Sequence, residues 1–497
     1  MSAHSLSAFP RAARLATLFA PLAFAACATV GPDYAPPESA GTAEFANAGR
    51  DDFTSTAVEA RWWSRFEDPA LDDLVRRALA ANHDLRVAAA RLREARAIYR
   101  EVSLDRLPAV TTSATALYEQ RSETQAPGLA RDERDVDTYS LGFDAFWELD
   151  FFGRLRRAAE AADADAAAAE AGLRDARVTV IAEVARNYFG WRGAAQRLVV
   201  AQRNLENQTK TLELTEVLLD AGRGTELDTA RARAQLNATA AVIPLLEIAA
   251  KEAEHRLAVL LGERPGALAL PAPEALAPLA GSFPIGSPAE LLRRRPDIRA
   301  AERLLASATA RVGVATADLF PRVTLTGFLG FVAGRTGDIG TSGSEAWFAA
   351  PTLTWAAFDL GSVRARLRAS EARADAALAR YEQTVLRALE ETENGLVGFG
   401  RQRARLVSLR ESARASARAA ELARLRFNEG VADFLALLDA ERTLLEAEDR
   451  VAQAETETYT ALVAVYKALG GGWDACAPEC ASLARSAATS GDASSDR

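Results

Sequence analysis

The chain has 497 residues, of which 49% are apolar and 26% charged, the balance of an ordinary folded protein. Its formal net charge of −9 argues against a general nucleic-acid binder. Three histidines, three cysteines and one methionine leave few residues for catalysis or metal binding, and the sequence brings no nucleophile, base or metal set together. We therefore predict that the chain is not an enzyme and uses no metal or dissociable cofactor.

The first 26 residues are organised as an export signal. Arg11 and Arg14 form a positive amino-terminal region, and residues 15–24 form an apolar stretch too short to span a bilayer. The small residues before Cys27 resemble a bacterial lipobox, in which the cysteine thiol receives a diacylglycerol and becomes the new amino terminus. The alternative is ordinary cleavage that leaves Cys27 as a bystander. We predict a lipoprotein signal over 1–26 and a covalent lipid, with fatty acylation of the palmitate kind, on Cys27.

A tether and the first helical stretch follow. Residues 27–70 begin with a Pro- and Gly-punctuated sequence, which predicts an extended tether leaving a membrane surface. Residues 71–103 then have a mixed composition of Ala, Leu, Arg and Glu that predicts a helix, and Pro108 ends it.

The next segments, within about 109–151, are predicted strands. From Tyr139 to Leu149 the odd positions are apolar and the even positions polar, with Phe146 the one exception. Residues 110–118 alternate less cleanly but are rich in strand-forming residues. A polar, Gly-containing connection over 120–135 makes the pair a long hairpin.

Two long helices are predicted over 153–261. No proline occurs from 153 to 219, and leucines recur at heptad spacing there. A helix of this length would reach roughly 100 Å at 1.5 Å per residue. Gly222 breaks the run, and a return helix ends at the pair Leu261-Gly262. Pro244 predicts a kink in that return helix.

The same order of elements then recurs. Trp147 is matched by Trp355 and Gly222 by Gly430 at one constant shift, so the chain is a duplicated half-molecule. The first repeat is predicted over 71–262, a Pro-rich linker over 263–287 and the second repeat over 288–474. Within the second repeat we predict a helix over 288–316, strands within about 322–358 and long helices over 361–470. A disordered tail is predicted over 475–497. Cys476 and Cys480 in that tail are able to form a local disulfide or to stay free.

Four strands of about ten residues with one apolar face match the length and pattern of transmembrane β-strands. Four strands cannot close a barrel, and hydrocarbon tolerates no open sheet edge, so strands that span a membrane would require an oligomer. Three chains would supply twelve strands. The alternatives are a soluble four-stranded sheet packed on a helix and, for the long helices, a free-standing coiled-coil rod, which does not explain the hairpins.

Several strings, in order, resemble the outer-membrane factor family of TolC- and OprM-like channels, and more narrowly its NodT-type lipoprotein branch. They are Gly31-Pro32-Asp33-Tyr34 after Cys27, Trp62-Trp63, the stretch 291–298, Leu437-Leu438-Asp439-Ala440 and the stretch 466–473. The resemblance implies a mainly α fold with a β-barrel: a homotrimer with a twelve-stranded barrel in the outer membrane and a twelve-helix α-barrel in the periplasm.

The same resemblance implies a function in multidrug resistance. The channel would passively conduct small molecules and drugs from an inner-membrane RND-type pump and a periplasmic adaptor to the exterior. The alternatives within transport are a type I secretion duct and a metal-ion efflux channel, and the single methionine weakens a copper assignment.

The resemblance also assigns a periplasmic aperture. Leu435, Asp439 and Arg442 match its motif in the second repeat, and Asp228 is the matching acid in the first. Ala436 stands where TolC has a second aspartate, so a double acidic ring is not expected. We hypothesise that Arg442 pairs with an acid of a neighbouring helix, such as Asp228, to hold the aperture closed. The plain alternative for each charge is a helix cap or a solvated helix face.

Overall fold

The computed structural model describes residues 29–37, 44–49, 52–272, 276–279 and 281–474. The predicted signal peptide, Cys27, the tail and its two cysteines lie outside these residues. The chain divides into two compact units. The described residues up to Pro37 and within Leu92–Ala169 and Ala300–Glu382 form what we call the sheet unit. The described residues within Glu38–Arg91 and Glu170–Arg299 and from Gln383 onward form what we call the helical unit.

The sheet contains the four predicted strands: β1 (Ala109–Gln120), β2 (Asp135–Leu149), β3 (Arg322–Ala333) and β4 (Glu345–Thr354). They are antiparallel in the order β1-β2-β3-β4, so both hairpins are confirmed and β2 joins β3 across the two repeats. Among the described residues, β1 pairs only with β2, and β4 only with β3. One edge of each outer strand is therefore open in the single chain.

The repeat is visible in atomic detail at the strand ends. The indole Nε1 of Trp147 donates a hydrogen bond to the carbonyl oxygen of Arg106 at 3.0 Å. The indole Nε1 of Trp355 donates to the carbonyl oxygen of Leu319, also at 3.0 Å. The two tryptophans thus fasten matching strand ends to the turns that follow matching helices, as expected of a duplicated half-molecule.

The shorter predicted helices are each divided in two, which corrects the single helices expected over 71–103 and 288–316. The first becomes α1 (Pro69–Ala81) and α2 (His83–Leu104), and the other becomes α5 (Pro288–Arg294) and α6 (Pro296–Ala317). Asn82 stops α1 and its side-chain oxygen accepts from the amide of Leu85 in α2. Arg295 is extended, with ψ 123°, because a residue before proline avoids the helical region.

The long helices agree with prediction. They are α3 (Arg154–Asp220, 67 residues), α4 (Glu226–Leu260, 35 residues), α7 (Leu360–Asn428, 69 residues) and α8 (Phe434–Ala468, 35 residues). Gly222 and Gly430 have φ of 64° and 72°, the left-handed conformation that lets the chain leave a helix. Pro244 lies inside α4, which continues through it. Among the described residues, no helix is both long and apolar enough to cross a membrane.

The core of the helical unit is aromatic. Trp62 is fully buried and stacks on Tyr466 of α8, with ring centroids 5.0 Å apart. The Pro-rich linker contacts the amino-terminal part of the same unit through a short parallel strand pair, Phe283–Pro284 with Phe53–Thr54. The described part of the linker has no helix, as its prolines predict.

Candidate functional site

The register of the sheet sorts its side chains into two faces, because directly paired residues of an antiparallel ladder point to the same side. The apolar face carries exposed large side chains, including Val110, Phe143, Leu329, Trp347 and Leu353. The polar face carries Thr111, Ser113, Ser140, Asp144, Glu148, Thr324, Thr326 and Thr352. One side of this sheet is therefore suited to hydrocarbon and the other to water.

The polar face also carries six large apolar side chains: Leu117, Val136, Phe146, Phe328, Val332 and Phe348. The alternation within β2 predicted one, Phe146. Among those that the register adds, Phe328 and Phe348 pair with each other across β3 and β4. Phe328 and Phe348 were not predicted, because β3 and β4 alternate poorly when each is taken alone. Counting the ladder from β2 into β3 would have found Phe328, since it lies opposite Asp144.

The predicted aperture residues lie where the long helices turn. Asp228 is in the first turn of α4, where the hydroxyl of Thr225 caps the helix and donates to the Asp228 carboxylate at 2.6 Å. Leu435 is in the first turn of α8 and is 49% exposed. Asp439 and Arg442 form an exposed ion pair within α8, with N to O 2.8 Å.

The predicted pair between Arg442 and Asp228 is not found in the described part of this chain. Arg442 binds Asp439 of its own helix instead, because residues three apart share one helix face. The plain alternatives that we named, a helix-cap region for Asp228 and a solvated face for Asp439, describe their surroundings in the single chain. An aperture role for the four residues therefore stays a prediction.

A row of acids that was not predicted joins α8 to α3 and α7. Glu441, Glu448 and Glu455 are seven residues apart and bind arginines of α7, α3 and α7, respectively: Arg424 at 2.6 Å, Arg203 at 2.5 Å and Arg410 at 2.8 Å. Asp449 adds a bidentate pair with Arg197 of α3. The heptad spacing of the acids was the available signal.

Glu441 is the most buried acid of that row. Its side chain is 8% exposed, and one oxygen accepts from Arg424 while the other accepts from the hydroxyl of Thr211 in α3. A single carboxylate near the start of α8 thus binds both α7 and α3. This contact holds the helix that carries Leu435 and Asp439 against its two neighbours.

The segment that follows Cys27 docks in the sheet unit. The amide of Val30 donates to the carbonyl of Phe152, just beyond the end of β2. Arg157, whose side chain is 4% exposed, donates to the carbonyls of Val30 and Gly31 and to the Asp33 carboxylate at 2.6 Å. Residues 29–33 are therefore held at the junction between β2 and α3.

Tyr34 extends this docking. Its hydroxyl donates to Glu302 at 3.2 Å. Burial, with the nearby Glu302 carboxylate, raises the pKa of the Tyr34 hydroxyl to about 12. The Gly-Pro-Asp-Tyr string found in the sequence thus makes defined hydrogen bonds within the sheet unit.

Comparison with known proteins matches this architecture to one family. The profile of the outer membrane efflux protein family matches residues 74–263 and 288–471, the two repeats. The solvent efflux pump outer membrane protein SrpC of Pseudomonas putida is 32% identical over 92% of this chain and 97% of its own length. The outer membrane protein OprJ of Pseudomonas aeruginosa is 33% identical over 93% of this chain and 96% of its own length.

Solved structures agree. The outer-membrane channel OprN has a TM-score of 0.85 at 52% identity, covering 89% of this chain and 99% of OprN. The open-state outer membrane channel MtrE of Neisseria gonorrhoeae has a TM-score of 0.81 at 31% identity, covering 90% of this chain and 98% of MtrE. The duplicated helices and strands, the two-faced sheet and these matches lead to one conclusion: the chain belongs to the outer membrane efflux protein family and has the fold of its outer-membrane channels.

Proposed function

We propose that three copies of the chain form a passive conduit through the outer membrane, which receives small molecules from a periplasmic adaptor and an inner-membrane RND-type pump. The observation that supports assembly of several copies is the sheet, because β1 and β4 each have an open edge and one face is apolar. A bilayer tolerates no unpaired edge, so β4 of one copy pairs with β1 of the next. The polar face then lines the pore.

The cargo proposed is small and apolar or drug-like. The relatives SrpC and TtgI of Pseudomonas putida are named for solvent and toluene efflux, and ArpC of the same species for antibiotic efflux. These names support small molecules over proteins as cargo. Transport energy would come from the pump, since a conduit of this kind supplies only a path.

The trimer has a direct test. We expect the detergent-purified protein to have the mass of three chains and to conduct ions in planar bilayers, because closing the sheet edges requires neighbouring copies. Native mass measurement on the conducting fraction checks this. A folded monomer that inserts and conducts would contradict the proposal.

We also propose that Cys27 carries a lipid anchor. The amide of Val30 is hydrogen-bonded to the carbonyl of Phe152, just beyond the end of β2 that leads into α3. A lipid on Cys27 would therefore lie close to that end of the sheet. We expect Cys27→Ser to abolish fatty-acid labelling, while the barrel, which itself spans the membrane, keeps the protein there. Labelling in cells, with Cys476→Ser as the matched control, checks this. Equal labelling of Cys27→Ser and the wild type would remove the anchor.

We further propose that Leu435, Asp439, Arg442 and Asp228 narrow the periplasmic aperture. We expect Asp439→Ala and Arg442→Ala each to raise single-channel conductance modestly with the trimer intact, because an exposed pair contributes only about 0 to 1 kcal/mol. Asp439→Ala should also reduce cation preference.

The matched control for the aperture is Glu446→Ala, which breaks an exposed pair with Arg450 on the same helix. We expect it to conduct like the wild type. Conductance and reversal potentials in planar bilayers measure both effects. Wild-type values for both aperture variants would refute the aperture assignment and leave the channel itself standing.

A further inference from the structure

The apolar exceptions on the polar face of the sheet include a ring pair. Phe328 of β3 and Phe348 of β4 are directly opposite in the ladder, with ring centroids 6.2 Å apart and planes 17° apart. Phe348 is 51% exposed in the single chain, and Phe146, on the same face of β2, is 52% exposed. These exposed rings leave apolar surface in water on a face that also carries Thr, Ser, Asp and Glu.

Two glycines make room for the ring of Phe328. Gly142 and Gly330 are opposite each other on β2 and β3, on the face that carries Phe328. A Cβ added at Gly142 would lie 2.7 Å from two carbons of the Phe328 ring, and one added at Gly330 would lie 2.9 Å from the ring. The Phe328 ring therefore packs against the two glycines, and this contact orders the ring before any solute binds.

The register places an acid next to Phe328. Asp144 is directly opposite Phe328 across β2 and β3, and it accepts a hydrogen bond from the hydroxyl of Ser113. Opposed residues on one face have Cβ atoms roughly 5 Å apart. The site thus combines a fixed aromatic surface with one negative charge, a combination that suits a flat ring system carrying positive charge.

We propose that Phe328, Phe348 and Asp144 form a contact site for planar aromatic cations within the barrel, repeated once per subunit. The proposal rests on the proposed function, because it requires the polar face to line the pore. Solutes that stack on the rings would dwell there on their way to the exterior.

The test is the block of single-channel current by proflavine, a planar aromatic cation, in bilayers containing the purified wild-type protein. We expect discrete blocks whose dwell times shorten about three- to tenfold in Phe328→Leu and Phe348→Leu, which keep apolar volume but lose the ring. Asp144→Asn should shorten the proflavine dwell and leave unchanged the dwell of caffeine, a neutral planar solute.

The matched control is Phe331→Leu, the same substitution on the same strand but on the apolar face. We expect this variant to be blocked like the wild type. The proposal is overturned if proflavine does not block the wild type, if the Phe328 and Phe348 variants keep wild-type dwell times, or if Phe331→Leu shortens them equally. A purified trimer that conducts no ions at all would instead overturn the conduit, and this site with it.

Discussion

Replacing Glu441 with alanine is expected to increase the open fraction of the channel about tenfold in planar bilayers. Glu441 binds Arg424 of α7 at 2.6 Å and Thr211 of α3 at 3.3 Å from a position that is 8% exposed. Charge-assisted hydrogen bonds of this kind contribute about 1.5 to 3 kcal/mol, and about 1.4 kcal/mol changes an equilibrium tenfold.

Because Arg424 is exposed, we expect the contribution of this contact to lie at the lower end of that range. The Arg424 side chain is 51% exposed and regains water when Glu441 is removed, so the loss is smaller than for a fully buried pair. Glu441→Gln keeps the side-chain shape and an acceptor for Thr211 but loses the charge, and we expect an intermediate open fraction.

Single-channel recording of open probability is the measurement, with trimer mass as the check on assembly. The control is Glu421→Ala, which removes an acid from an exposed pair with Arg418 on α7. An open probability that is unchanged in Glu441→Ala, or raised equally in Glu421→Ala, would show that this contact does not restrain α8.

Gly31→Ala is expected to release the amino-terminal segment from the sheet unit. Gly31 has φ of 87°. A Cβ there would lie 2.4 Å from the α-carbon of Gly313, and a backbone atom cannot move aside by changing its rotamer. Left-handed strain and overpacking together cost roughly 2 to 4 kcal/mol. We expect the segment to relieve that cost by detaching from Gly313.

Amide hydrogen exchange at Val30 reports the release, since that amide is bonded to Phe152. We expect its protection to fall roughly 30- to 1,000-fold. The control is Gly128→Ala, where φ is 85° but no atom lies within 4 Å of an added Cβ, so only the strain is introduced. Val30 protection that survives Gly31→Ala would mean that the close approach to Gly313 is not needed for docking.

Much of the fold was predictable because its signals are local. Strand alternation, proline-free helical runs and glycine breaks each act over a few residues, and the strands and long helices lie close to their predicted positions. The break at Asn82 was not predicted, because the helical composition continues across a single extended residue. The break at Arg295 was not predicted either, although Pro296 was a local signal for it. The lipobox before Cys27 is also local, although its role rests on the labelling test.

What the sequence by itself determined is the duplication, the element types, the apolar face of β2 and, through family resemblance, the channel. Only the tertiary structure decided the partners of Arg157, Glu441 and Phe328. Arg157 binds Asp33 from 124 positions away, and Glu441 binds Thr211 from 230. The ring pair depends on strand register, where a slip of one residue would place Phe328 on the opposite face. Such contacts depend on how distant elements pack, and no local pattern encodes that.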